Sequence, residues 1–287
     1  MIDPGFLDEL RRFDASLDRR ADDLRQGEQE SSNLGEGLTF ADYRRYSPGD
    51  DTRLIDWRLY ARSEEYYIKQ FEEERSLTVH VLIDASGSMG FGGEGREKFE
   101  FAAKLGLGFA YLTAEEHNDF RIATFSDDHE RLDTGRSNRG EILRAIDLLN
   151  ETDPAGEAAF EAALEGYAAT LDSRSLVVVV SDYLADPDDV EAGLASLTAN
   201  DLVCPQVLAP TERDPGREAE GDTIFVDPET ETERRTYFGG TLAQRYRDRL
   251  ERHVETVDER CRRLGALHSV VDTDEAFFDA FSTVWIG

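Results

Sequence analysis

Two aliphatic runs, each stopped by an acid, constrain this chain more than any other feature. The run from Leu77 to Ile83 ends at Asp84, and the run from Ser175 to Val180 is followed by Ser181 and Asp182. Continuous stretches of this kind mark strands buried on both faces, and such strands occur in parallel sheets covered by helices. The rest of the chain alternates to match. Helices are expected over about 96–116, 139–150, 157–171 and 188–197, with strands over 121–125, 130–133 and 202–208. A hairpin over 222–237 follows, then a long helix with an apolar seam of Leu242, Tyr246, Leu250, Val254, Val257, Cys261 and Leu264. An edge strand over 268–271 and a helix over 275–281 come last. Near the start, Phe6, Leu10, Phe13, Leu17, Ala21 and Leu24 line one face of a helix, and residues 27–37 read as a loop. The predicted fold class is α/β, a doubly wound and mostly parallel sheet with helices on both faces. Residues 1–75 are expected to form an N-terminal helix and an irregular segment packed on a body made of 76–287.

In an open α/β sheet, ligands bind outside the carboxyl ends of the strands. Asp84 and Asp182 should both project there. Asp84, Ser86 and Ser88 alternate along a glycine-containing loop, which can turn three oxygens toward one point. Carboxylate and hydroxyl oxygens are the hard ligands that Mg2+ takes, usually together with waters. The plainer alternative is that the serines are loop residues and Asp84 caps the next turn. Set between a buried strand and a long helix, the string Asp84-Ala85-Ser86-Gly87-Ser88 resembles the start of the metal-ion-dependent adhesion site of the von Willebrand factor A fold. That resemblance implies a Mg2+ or Mn2+ site with Asp84, Ser86, Ser88 and Asp182 as ligands, and partner binding rather than catalysis. It also implies a threonine five residues before Ala163, where this chain has Ala158, so a weaker site is expected. Thr152, six residues earlier, could substitute only through a remodelled loop.

The segment from Arg44 to Arg62 sets five arginines against Asp50, Asp51 and Asp56, a local positive excess in a chain of net charge −30. Guanidinium groups beside carboxylates and tyrosines form bidentate, planar pairs. A structural knot of salt bridges and a partner-facing surface are both open readings. The surface would be made of Arg44, Arg45, Asp50, Asp51, Arg53, Asp56 and Trp57. The pattern Arg44-x-Tyr46-x-Pro48-Gly49-Asp50-Asp51-x-Arg53-x-Ile55-Asp56-Trp57, continuing to Ala61 and Arg62, is similar to the domain of unknown function 58 family. The similarity runs from about Gly35 to Leu208. It implies a companion MoxR-type AAA+ ATPase and a role in chaperone-like protein maturation or assembly.

The acidity is global. There are 62 acidic and 32 basic residues, and the basic set is 29 arginines with only Lys69, Lys98 and Lys104. Spread carboxylates with scarce lysine fit a salty, halophilic cytoplasm, where screening removes self-repulsion. Within the most acidic stretch, 151–200, Asp182, Asp186, Asp188 and Asp189 are expected to flank the mouth of the crevice. Without a basic stripe, nucleic acid is not expected as a partner. The run from Leu176 to Val180 is far too short to span a bilayer, and Met1 to Gly5 shows no basic leader. A cytoplasmic protein without membrane insertion is expected. Cys204 and Cys261 lack ligand spacing and read as reduced core thiols. Rival functions remain, among them a phospho-accepting role for Asp84, against which Ser86 stands where a second aspartate is needed. Ser88, Asp182 and His268 follow the chain order of an α/β-hydrolase triad, but Ser86 stands where a nucleophile elbow wants glycine and His268 starts a strand. A further rival is a structural scaffold with a degenerate metal site.

Overall fold

The computed structural model describes residues 1–25, 38–45, 66–73, 77–91, 97–215, 221–226 and 232–286. They belong to two compact units, one of Met1–Asp18 with Leu77–Gly287 and the other of Arg19–Ser76. The first turns of helix α1 (Phe6–Arg25) therefore fold with the sheet-bearing body, where Ile2, Phe6, Leu7 and Leu10 are buried. Phe13 stacks on Phe278, ring centroids 5.1 Å apart. In the second unit, β1 (Leu38–Arg45) pairs antiparallel with β2 (Tyr67–Glu73), with an irregularity between Phe40 and Asp42.

The body alternates as its periodicity requires: β3 (Thr78–Asp84), α2 (Glu97–Glu115), β4 (Asp119–Phe125), β5 (His129–Arg131), α3 (Arg139–Glu151), α4 (Phe160–Ala168), β6 (Leu176–Val180), α5 (Pro187–Ser196), β7 (Asp201–Leu208) and a short α6 (Pro210–Arg213). A hairpin of β8 (Gly221–Val226) and β9 (Glu233–Phe238) follows, then α7 (Gly240–Arg263), β10 (Leu267–Asp272) and α8 (Phe277–Ile286). Six strands form one sheet in the order β10-β7-β6-β3-β4-β5, parallel except for β5 on the edge. The chain thus adopts an α/β fold with a doubly wound, mostly parallel sheet. The strand order reverses direction between β3 and β6, and a crevice for ligands opens at such a switch point.

Strand pleat sorts the core. Val79, Val81 and Ile83 of β3 pack in one cluster with α1, α2, α3 and α8, while Leu82 packs in another with α4, α5 and α7. Gly106 lets α2 lie tight on β3, since a Cβ there would come within 2.7 Å of Val81 Cγ1. Caps fix the helix starts. Asn138 Oδ1 accepts from the amides of Gly140 and Glu141 ahead of α3, and Asp186 accepts from Asp188 N ahead of α5. The start of α4 has no cap of its own; the Asp189 carboxylate of α5 accepts from Phe160 N at 2.9 Å and Glu161 N at 3.2 Å.

Candidate functional site

Asp84 ends β3 at the switch point and is fully buried. Its Oδ1 accepts from Ser86 N at 2.8 Å and its Oδ2 from Ser181 Oγ at 2.6 Å. The Ser86 hydroxyl also reaches Asp84, and Ser86 Oγ and Ser88 Oγ stand 3.1 Å apart. Burial, and next the charge of Asp182, push the Asp84 carboxyl up to about 7. A second loop clasps the first: Gly87 N donates to Gly156 O and Ala155 N to Ala85 O, both at 2.9 Å. Gly156 sits at φ +81°, the left-handed region that glycine enters without strain. Ala158 on that loop offers a methyl group and no hydroxyl. The Thr152 hydroxyl donates to Leu148 O at 2.9 Å, at the end of α3.

Asp182 lies two residues beyond β6 and is 1% exposed. Its Oδ1 accepts from Leu184 N at 3.0 Å, and the Ser88 hydroxyl hydrogen-bonds to the same carboxylate. Its Oδ2 lies 2.7 Å from Lys98 Nζ, which is in turn 2.5 Å from Glu212 Oε1. A continuous polar chain therefore runs Ser181, Asp84, Ser86, Ser88, Asp182, Lys98, Glu212. Burial opposes the Lys98 charge, but Asp182 and Glu212 override it and raise its pKa. Burial would likewise raise Asp182, and the neighbouring ammonium holds it below the usual carboxylate range. Glu212 is raised, chiefly by burial.

Tyr183 follows with φ +50°, a strained conformation for a bulky residue and one often found at functional sites. It is fixed from several sides. Its hydroxyl donates to Val179 O, its ring stacks on Phe160, and its carbonyl lies 2.7 Å from His253 Nε2.

The four expected metal ligands thus converge. Among the described residues no group of three or more His, Cys, Asp or Glu side chains is placed to hold a metal. An ion here would rest on two carboxylates, two hydroxyls and water. That donor set is all hard oxygen, and three buried carboxylates (Asp84, Asp182, Glu212) against one ammonium leave a formal excess of two negative charges. Both facts fit a divalent cation of the Mg2+ kind. The sequence reading missed Lys98, Glu212 and Ser181. A signal for Lys98 was available: one of only three lysines in a chain of 29 arginines, at the start of a largely apolar helix.

Other expectations fare differently. Asp186, Asp188 and Asp189 each have partners of their own. Asp186 and Asp189 cap helices, and Asp188 pairs with Arg260 at 2.5 Å. His268 stays in β10, 3.2 Å from Gln206 Oε1 and 3.3 Å from Asp258 Oδ1. Arg44 and Arg45 are in β1, with Arg45 exposed. Asp50, Asp51, Arg53, Asp56 and Trp57 lie outside the described residues. Among the described residues no helix is long and apolar enough to cross a membrane.

Similarity to known proteins is broad in extent and low in identity. Uncharacterized protein Rv1480 of Mycobacterium tuberculosis and uncharacterized protein Mb1516 of Mycobacterium bovis are each 24% identical over 233 residues, spanning 79% of this chain and 72% of theirs. Among solved structures, hypothetical protein BatB from Bacteroides thetaiotaomicron aligns with a TM-score of 0.41 at 14% identity, covering 73% of this chain and 97% of that one. The vWF domain of the type V pili tip protein Mfa5 from Porphyromonas gingivalis gives 0.37 at 15%, covering 74% and 95%. Likenesses this loose transfer neither site nor function. The sequence itself is more telling: by its match over residues 42–260, the chain belongs to the family described as Protein of unknown function DUF58.

Proposed function

We propose that this protein is a non-catalytic interaction domain of the cytoplasm that engages a partner through a metal-ion-dependent adhesion-type site at Asp84, Ser86, Ser88 and Asp182. The observation that carries this reading is the convergence of those four side chains at the switch point, with Ser86 Oγ and Ser88 Oγ 3.1 Å apart between two buried carboxylates. A bound Mg2+ or Mn2+ would supply a Lewis-acidic position for a carboxylate of the partner. The chain's own groups orient the ligands: Ser181 and the Ser86 amide hold Asp84, and Lys98 and the Leu184 amide hold Asp182. The similarity of Arg44–Arg62 to its family pattern supports a MoxR-type AAA+ ATPase as the partner, in chaperone-like maturation or assembly of a client. Against a serine hydrolase, the described contacts of Ser88 are with Ser86 and Asp182, and His268 bonds elsewhere.

Two measurements test the reading. Titrating Mg2+ or Mn2+ should raise the melting temperature of the wild type, because an ion that binds only the folded state stabilises it, and Asp84→Ala should abolish the rise. An equal rise in Asp84→Ala would remove the ion from this site; no rise in either would favour a scaffold with a degenerate site. Tagged protein recovered from its own host at native salt, with ATP and cross-linker, should bring down an AAA+ ATPase. Its absence from both wild-type and Asp84→Ala recoveries would refute the partner.

A further inference from the structure

Lys98 is the residue that the adhesion-type site leaves unexplained. It sits in the first turn of α2, where the positive end of the helix dipole disfavours a cation, and it is 0% exposed, so its ammonium has lost its hydration. Both effects oppose charge at this position. The charge is nonetheless held by two carboxylates from separate elements, Asp182 after β6 at 2.7 Å and Glu212 on α6 at 2.5 Å. Glu212 is itself anchored, its Oε2 accepting from Ala209 N at 2.8 Å. Asp182 is thus at once an expected ligand of the ion and the acceptor of an internal cation.

We propose that Lys98 is a built-in competitor for the metal ion, occupying one oxygen of Asp182 so that the crevice takes a divalent cation weakly and reversibly, with Glu212 tuning that competition. The inference rests on the metal-site reading above. Two positive groups that share one carboxylate repel, and in a buried cluster salt screens that repulsion little. The ammonium also keeps Asp182 in place without an ion, so the crevice does not have to rebuild itself at each binding event. Glu212 acts in the opposite sense, drawing the ammonium away from Asp182 and adding negative charge.

The test is calorimetric titration of the full chain with Mn2+ alone, for wild type, Lys98→Met, Glu212→Gln and Asp84→Ala. Lys98→Met keeps most of the stem and removes the charge, and it should bind Mn2+ at least about tenfold tighter than wild type. Glu212→Gln should bind about tenfold more weakly, and it decides the matter alone if Lys98→Met does not fold. Asp84→Ala should abolish uptake, which ties the signal to this site. Strong uptake by Lys98→Met beside weak uptake by wild type would support the competition most directly. Wild-type binding left unchanged by both Lys98→Met and Glu212→Gln overturns the competitor role and leaves the metal site standing. Absence of binding in wild type, Lys98→Met and Glu212→Gln overturns the metal site itself.

Discussion

Strand β3 carries a titratable side chain toward each end of the sheet, and the two ends differ in how they are completed. Toward the amino end, His80 lies beside a polar cavity of about 290 Å³ lined by Thr78, Arg121, Arg131, Tyr167 and Thr170 among others. There, His80 Nδ1 is 2.8 Å from the Tyr167 hydroxyl, and Arg131 pairs with Asp133 at 2.8 Å. Arg121 donates to Phe120 O and to Ser137 Oγ. Burial, and then the Arg121 charge, bring His80 down to about 4. At the carboxyl end, burial brings Asp84 up to about 7, and Asp182 and Glu212 share the one ammonium of Lys98. Desolvation drives both residues of β3 toward their neutral forms. The amino end keeps the Arg121 guanidinium, hydrogen-bonded to Phe120 O and Ser137 Oγ, while the carboxyl end gathers carboxylates in excess of its one ammonium. The two ends of one sheet thus differ in the sign of the charge they gather.

The contrast can be broken most forcefully at Lys98. Removing one partner of a fully buried ion pair strands the other charges, so Lys98→Met should cost about 3–5 kcal/mol in urea unfolding without added metal. Arg131→Met, which removes a half-exposed partner of Asp133, should cost clearly less. A smaller loss for Lys98→Met than for Arg131→Met would erase the distinction between the two ends.

Acid should find the other end. His80, and His268 in β10, both fall to about 4, chiefly through burial, below the ordinary 6.5. The unfolded chain then takes up protons first. Stability from these groups is complete above about pH 6.5 and is lost as the pH falls toward 4, by at most about 1.4 kcal/mol per pH unit for each histidine and less where water reaches the ring. Asp84, raised to about 7, works in the opposite sense over the same window, so the histidine contribution is read by difference: between about pH 7.5 and about pH 5, His80→Gln should lose less stability than wild type. A pH response that is the same in His80→Gln would show that the histidine is not buried as described.

Ionic strength separates surface from interior. With a net charge of −30, melting followed by circular dichroism should show weaker folding as KCl is lowered from about 3 M to about 0.05 M. The penalty for Lys98→Met should persist across that range, because buried charges are little screened. Stability that ignores salt would remove the halophilic reading of the composition. The smallest effect belongs to Ala158→Thr, which offers the crevice one more hydroxyl. It should tighten Mn2+ binding by about threefold to tenfold, the worth of one polar contact. Unchanged affinity would mean that the loop around Gly156 directs that side chain elsewhere.

Much of this molecule is legible without coordinates because its signals are local. Val79, Val81 and Ile83 against Leu82 already encode two buried faces. Asp84 and Asp182 are exposed as candidates by the abrupt end of an aliphatic run. The pair β1–β2 is not legible in this way, since Asp42, Arg44 and Lys69 break the apolar alternation that would mark a strand. Nor is the use of the acids in 151–200. A carboxylate that caps the next helix and one that faces a crevice look identical in a charge count, and Asp189 serves α4 from 29 residues away.

What the sequence by itself determined is therefore the layered α/β framework and the place where its strands stop, because periodicity depends on neighbours along the chain. What only the tertiary structure decided is the electrostatic content of the crevice. Lys98 meets Asp182 across 84 residues and Glu212 across 114, and Ser181 meets Asp84 across 97. A lysine early in a helix is ordinarily solvated. It becomes a buried counter-charge only when α2, the end of β6 and α6 dock together and exclude water, since desolvation is a property of the assembled surfaces and not of any one segment.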